Sequence, residues 1–336
     1  MPTQTRDRAI DVIELNVPPL TQGKGAKSFP RRLAATHRSK LPIIVWLILS
    51  LIWGSTWLFI KLGLEDLPPF TFAGIRFVIA ALILLIIVAV RLHKQRLPRD
   101  WRDWVLIAGT GFFSFAVNYG LLFWGEQRVS SGLAAILQTI IPVFGLVLAH
   151  LHLPSERITW PKLFGIALGI AGVALIFSNQ MEMGGAEAFK GSVAIVIGAF
   201  AVAYSNVLIK LRGSKLDYAV LSAGQMIAGL IPLLIVGTLL EGSPLNLHWT
   251  RLALVSLFYL ALVGSVVAFL LFYWLVRHME VTKTMLISLV TPLIAVTLGE
   301  IVRGEELTWR IVVGGASIMA GIGVVALRRL KRGKAA

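Results

Sequence analysis

The chain carries one pattern twice. Ile60-Lys61-Leu62 returns as Ile209-Lys210-Leu211 at an offset of 149, and Trp124 and Pro142 return as Trp274 and Pro292 at an offset of 150. Glu156, Thr159, Trp160, Gly165, Ala171 and Gly172 return, in order, as Glu305, Thr308, Trp309, Gly314, Ala320 and Gly321, again at 149. A repeat this long with so steady an offset means two copies of one supersecondary unit, each of which needs the other to bury its apolar faces.

Each copy predicts five membrane-length segments. A hydrocarbon core takes about 20 apolar residues per helix, and the spans read 43–62, 70–90, 104–124, 131–150 and 160–178, then 191–210, 218–239, 252–275, 284–302 and 309–327. Five is odd, so the second copy enters the membrane from the opposite side. The expected fold class is therefore an all-α membrane protein of ten transmembrane helices in two inverted five-helix repeats. Its domains are residues 41–180 and 189–330 behind a polar, basic stretch 1–40 that reads as a disordered cytoplasmic tail. The apolar run after the tail is full-length and lacks a small-residue cleavage pattern, so a signal peptide is not expected. With 57% hydrophobic and 15% charged residues, a soluble domain could not bury the apolar surface.

The formal charge of +15 reads as topology rather than as nucleic-acid binding. Of the 32 Lys and Arg, 25 fall in alternate segments that are cytoplasmic if both termini are. Six lie on the other side, and Arg76 alone lies well inside a span. That asymmetry is the positive-inside signal, and it predicts cytoplasmic N and C termini in a bacterial inner membrane. The remaining positive charge suits anionic lipid.

Several motifs then resemble a known family. Trp53-Gly54-Ser55-Thr56-Trp57 in span 1, Pro69 with Ala73 and Arg76-Phe77 in span 2, Pro142 leading to Ser155-Glu156, and Pro292 leading to Gly304-Glu305-Glu306-Leu307 are similar to the EamA half-repeat. So are the glycine-spaced helices with Gly165, Gly169 and Gly172, and with Gly314 and Gly321. The resemblance covers residues 43–328 and implies a ten-helix member of the drug/metabolite transporter superfamily. It also implies a central cavity lined mainly by spans 1, 3, 4, 6, 8 and 9. One departure is Ser155-Glu156 where the family has Gly-Glu in the first half.

Polar groups inside a span face protein or water, because lipid offers no hydrogen bonds. Ser55, Thr56 and Trp57 in span 1 stand at the repeat positions of Tyr204, Ser205 and Asn206 in span 6, close to midplane, with Trp53 one turn away. Asn118 and Tyr119, Gln138, Tyr259, and Ser288 in spans 3, 4, 8 and 9 join them as the expected substrate-binding set. The bland reading of each is a helix-to-helix hydrogen bond worth roughly 0.6 kcal/mol. Arg76 is expected to snorkel or to pin a loop through Glu65 or Asp66.

Lys61 and Glu300 sit at the outer ends of spans 1 and 9, Lys210 and His150 at the inner ends of spans 6 and 4. The repeat maps Lys61 onto Lys210 and His150 onto Glu300, so two thin gates are expected, with His150 protonation opening the inner one. Pro142 and Pro292 each remove a helix hydrogen bond and mark expected kinks. His150 and His152, two apart on a helix, do not face one ligand, so no metal site is expected.

The residues favour a secondary transporter of a small amphipathic metabolite, amino-acid-like and exported, as a monomer or homodimer in a lipid bilayer. A lipid-linked sugar flippase or a multidrug exporter of the same fold stays open. An intramembrane enzyme is a distant third, since no HExxH, GxSxG, Cys or paired midplane carboxylate is present. The sequence lacks a Walker motif and calls for no cofactor. No acid is expected near midplane, which leans the reading toward facilitated diffusion or exchange.

Overall fold

Short polar residues start the helices. Asp100, Ser130 and Thr250 adopt extended backbone, and their side chains accept from the N–H of Arg102, Leu133 and Ala253. These are N-caps that satisfy first-turn donors. The structure is a computed structural model that describes residues 41–91, 97–153, 158–179, 185–213, 216, 218–279, 284 and 286–332. The predicted tail 1–40 and the Ser155-Glu156 pair lie outside the described residues.

The helices are α1 (Leu41–Gly63), α2 (Pro69–Arg91), α3 (Trp101–Glu126), α4 (Ser131–His152), α5 (Trp160–Asn179), α6 (Gly185–Arg212), α7 (Tyr218–Glu241), α8 (251–278), α9 (Ile287–Arg303) and α10 (Trp309–Arg332). No strand occurs among the described residues. Eight helices, α1 to α8, are long and apolar enough to cross a membrane. The last two of the ten predicted spans fall short of that measure. Helix α9 has 17 residues and carries Glu300 and Arg303 near its end, and the apolar stretch of α10 among the described residues is Trp309–Val324.

Irregularities recur at repeat positions. A π-helical stretch runs through Phe112–Val117 in α3 and another through Tyr259–Val267 in α8. In the second, Ser265 Oγ donates to the Leu260 carbonyl five residues back, at 2.9 Å. The two prolines act differently. Helix α4 breaks at Thr139 and Ile140 and restarts with Pro142 in its first turn, where no N–H is missed. Pro292 sits inside the continuous α9.

The packing is also paired. The chief contacts are α5 with α10, α2 with α7, α3 with α6, α1 with α8, α1 with α9, α4 with α6, α3 with α7, α2 with α8, and α4 with α9. Replacing every helix by its repeat mate returns the same set. The halves therefore interleave, and residues 40–336 form one unit.

Glycines set the direction of two of these contacts. A Cβ at Gly314 would lie 2.7 Å from the Gly172 carbonyl oxygen, and one at Gly321 would lie 2.5 Å from that of Gly165. As numbers rise along α5 they fall along α10, so these mates run antiparallel. The same holds for α2 and α7, where Gly74 meets Leu234 and Gly237 meets Thr71. Gly169 faces Val143 and Ile140 of α4, so the predicted small-residue stripe is used for packing inside the chain. Gly172→Val and Gly321→Val occupy matching positions of this contact. Each should cost about 1–3 kcal/mol by overpacking, and the two should lower the unfolding temperature in detergent by similar amounts. A large drop for one and none for the other would contradict the paired geometry.

Candidate functional site

The expected binding residues separate into three groups. At the α1–α8 contact, Ser55 Oγ and the Tyr259 hydroxyl share a hydrogen bond of 2.6 Å, and Tyr259 stacks on Phe59 with centroids 3.9 Å apart. Thr56 donates to the Trp53 carbonyl and packs over Gly264, and Trp53 meets Phe272. At the α3–α4 contact, Gln138 Nε2 donates to Asn118 Oδ1 at 3.0 Å, with both residues buried and Gly198 of α6 against Asn118.

At the α3–α6 contact, Ser114 donates to Ser205, which donates to the Thr110 carbonyl. Ser205 is fully buried, so its hydroxyl joins helices. Tyr204 turns away from that group toward Phe113 and His152. Asn206, Ser288, His150 and Lys210 lie exposed. Tyr119 packs among Phe77, Phe115 and Phe123.

Arg76 departs from its expected snorkelling role. It is 4% exposed, and its Nε and Nη2 each donate to Ser265 Oγ of α8 at 3.3 Å. Its guanidinium lies 5.2, 5.4 and 6.0 Å from the centroids of Phe77, Tyr119 and Phe123. Helix α2 is enclosed by α3, α7 and α8 at this depth, so the side chain has no route to a headgroup. Its repeat mate Gln225, also buried, donates to Thr110 of α3 at 2.9 Å. Both halves thus build the same strut, from α2 to α8 and from α7 to α3, and only the first is charged.

The loop end that holds the α1 C-terminus is stitched together. Lys61 Nζ donates to the carbonyls of Glu126 and Val129 at 2.6 Å and of Gln127 at 3.3 Å. These belong to the α3 C-terminus and the turn after it, where unpaired carbonyls favour a cation. Glu305 caps the next helix. Its carboxylate accepts from Ser131 N, Ser131 Oγ and Gly132 N at 3.0, 2.8 and 3.2 Å, at the positive end of α4.

Gly304, at φ 63°, turns the chain so that Glu305 reaches that helix. Its N–H bonds to the Glu300 carbonyl, and that of Glu305 bonds to Gly299, a left-handed helix end that suits glycine. Arg303 pairs with Glu65, Asp66 accepts from Thr250, and Thr308 donates to Asn179. Glu241 at the end of α7 accepts from the N–H of Phe70 and Thr71 at the start of α2, at 2.9 and 2.7 Å.

In this structure Lys61 is not paired with Glu300, which lies exposed. The carbonyls of the α3–α4 turn take its place, and Glu305 five residues on supplies the acid. Sequence reasoning gave Glu126, Glu241 and Glu305 no role. Only the Gly-Glu motif pointed at Glu305.

Comparison with known proteins fits this geometry. The model of the EamA-like transporter family matches residues 40–178 and again residues 189–327. The chain belongs to that family. This EamA-family chain is 27% identical to the uncharacterized transporter YoaV of Bacillus subtilis, over 81% of its own length and 92% of that protein. It is 31% identical to the uncharacterized inner membrane transporter YedA of Escherichia coli K12, over 81% and 86%. A crystal structure with 19% identity superposes at a TM-score of 0.59, over 85% of this chain and 96% of the other, and shares its fold. The EamA chain is thus a multi-pass membrane protein of a transporter family.

Proposed function

We propose that this EamA-family protein is a secondary transporter that moves a small amphipathic, amino-acid-like metabolite outward across the inner membrane by alternating access. In this reading α9 and α10 complete ten spans, both termini are cytoplasmic, and residues 41–180 and 189–330 are inverted repeats about a central pathway. One observation carries it. Repeat mates that touch run antiparallel, yet the polar stitching differs between halves, as Arg76 and Gln225 show. Two interleaved halves with a common plan and unequal end contacts can exchange which end is sealed. The stitched end then corresponds to a sealed outer face.

The pathway wall runs past Ser55, Tyr259, Asn118 and Gln138, where hydroxyl, amide and aromatic groups suit a small zwitterion. Counterflow in proteoliposomes, with labelled amino acids, nucleosides and a cationic dye, tests this. Saturable counterflow of one class is expected. Ser55→Ala and Asn118→Ala should reduce it about tenfold, which corresponds to about 1.4 kcal/mol, while Ser205→Ala should keep it near wild type. Absence of counterflow for the whole panel would sink the carrier reading. Activity with lipid-linked sugars alone would replace it by the flippase.

A further inference from the structure

Tyr119, Phe123 and Glu126, spaced by four and three, share one face of α3. That face meets α1 and α2. Glu126 is 0% exposed, and neither carboxylate oxygen has a hydrogen-bond partner among the described residues. The other structural acids contrast with it. Glu305 accepts three hydrogen bonds and Glu241 two, all from helix starts. A buried acid retained for stability is hydrogen-bonded or paired, and Glu126 is neither.

Its charged surroundings are defined. Lys61 approaches from α1, Arg76 from α2 and Glu305 from the segment after α9. From α6, Gly191 and Ile195 pack against the neighbouring Gly125. Glu187 of α6 pairs at the surface with Lys190 and with Arg128. Tyr119 lies on Glu126's own helix. Lys61 does not bond the carboxylate, because its ammonium is engaged by the carbonyl of Glu126 itself and by its neighbours. Arg76 leaves Nη1 without a partner. The repeat position of Glu126 is Val276, so the acid belongs to one end of the molecule only.

We propose that Glu126 is the proton-binding site that couples transport to the proton gradient. The inference rests on the carrier reading above. A fully enclosed carboxyl with two free oxygens has room for a proton and none for a solute. With Lys61 held by the α3–α4 turn, Glu126 carries the proton as a neutral acid. When solute loads from the opposite, open end, Glu126 gives up its proton to water on that side. Lys61 leaves the carbonyls, and its ammonium balances the carboxylate that remains. This end then opens outward, and reclosing requires that Glu126 take a proton from the outer side, so one proton crosses inward for each solute carried out.

The test uses the full-length protein in proteoliposomes and whichever panel solute the wild type counterflows. Wild type should accumulate that solute when a proton gradient is imposed. Glu126→Gln should lose accumulation altogether and keep gradient-free counterflow, and Glu126→Asp should retain both. Gradient-driven accumulation by Glu126→Gln, or indifference of the wild type to the gradient, would overturn the proposal and leave the carrier reading standing. No counterflow by the wild type would remove both. Should Glu126→Gln fail to fold, solute-dependent proton release by wild type and Glu126→Asp, read with a pH dye, decides the matter. Release is expected, and its absence overturns the inference.

Discussion

Lys61→Met should unseal the stitched end of the bundle and slow transport more than any other single change at that end. Methionine keeps the length and apolar stem of lysine and removes the ammonium. Three carbonyls from Glu126 to Val129 then lose their donor. Hydrogen bonds to a charged group contribute about 1.5–3 kcal/mol each, and opening water partly replaces them, so a net bias of about 3 kcal/mol between sealed and open ends is a reasonable scale. That corresponds to a shift of about 150-fold between two states. The chain has no cysteine, which makes a clean reporter available. Val129→Cys places a thiol at a buried position beside the Lys61 contact. Its labelling by a membrane-impermeant reagent should be slow in the parent and tens of times faster with Lys61→Met, with Lys61→Arg between. Equal labelling in all three would show that Lys61 does not hold this end.

A repeat carries the shared plan of two copies and hides where they differ. The offset of 149 to 150 residues made the two copies legible, but not which helices touch. It aligned Gly165 and Gly172 with Gly314 and Gly321, whereas packing sets Gly165 against Gly321 and Gly172 against Gly314. The polar residues read as one expected set, and the structure divides them into Ser55 with Tyr259 and Gln138 with Asn118. What the repeat hid was the departure from symmetry. Arg76 and Gln225 look unlike in sequence yet form equivalent struts. Lys61 was placed at the correct end but matched to Glu300, because helical spacing alone ignores the left-handed turn at Gly304 that carries Glu305 to α4. Glu126 falls two residues past the predicted span 104–124 and drew no role from the sequence. Its enclosure comes from α1, α2 and α6 folding over the end of α3, which no local pattern encodes.

Arg76 is where the stability effect should be greatest. The side chain fills the junction of α2, α3 and α8 and is 4% exposed. Arg76→Ala would leave that volume empty among Phe77, Tyr119 and Phe123. Truncating a large buried side chain to alanine costs about 2–5 kcal/mol, and loss of a desolvated cation over aromatic rings adds up to about 2 kcal/mol. Ser265 keeps its own bond to the Leu260 carbonyl, so no further hydroxyl is orphaned. Arg76→Met separates volume from charge, because it restores most of the packing and none of the guanidinium. Unfolding temperature in detergent should fall steeply for alanine and recover for most of that interval with methionine. If Arg76 only packs, the methionine variant should also transport normally. If its cation acts on Glu126 across the Tyr119–Phe123 face, the methionine variant should fold well and still respond abnormally to a proton gradient. A low unfolding temperature for methionine equal to that of alanine would instead assign the stability to the Ser265 tie and the cation, and would remove shape-filling as the reason for a buried arginine at this junction.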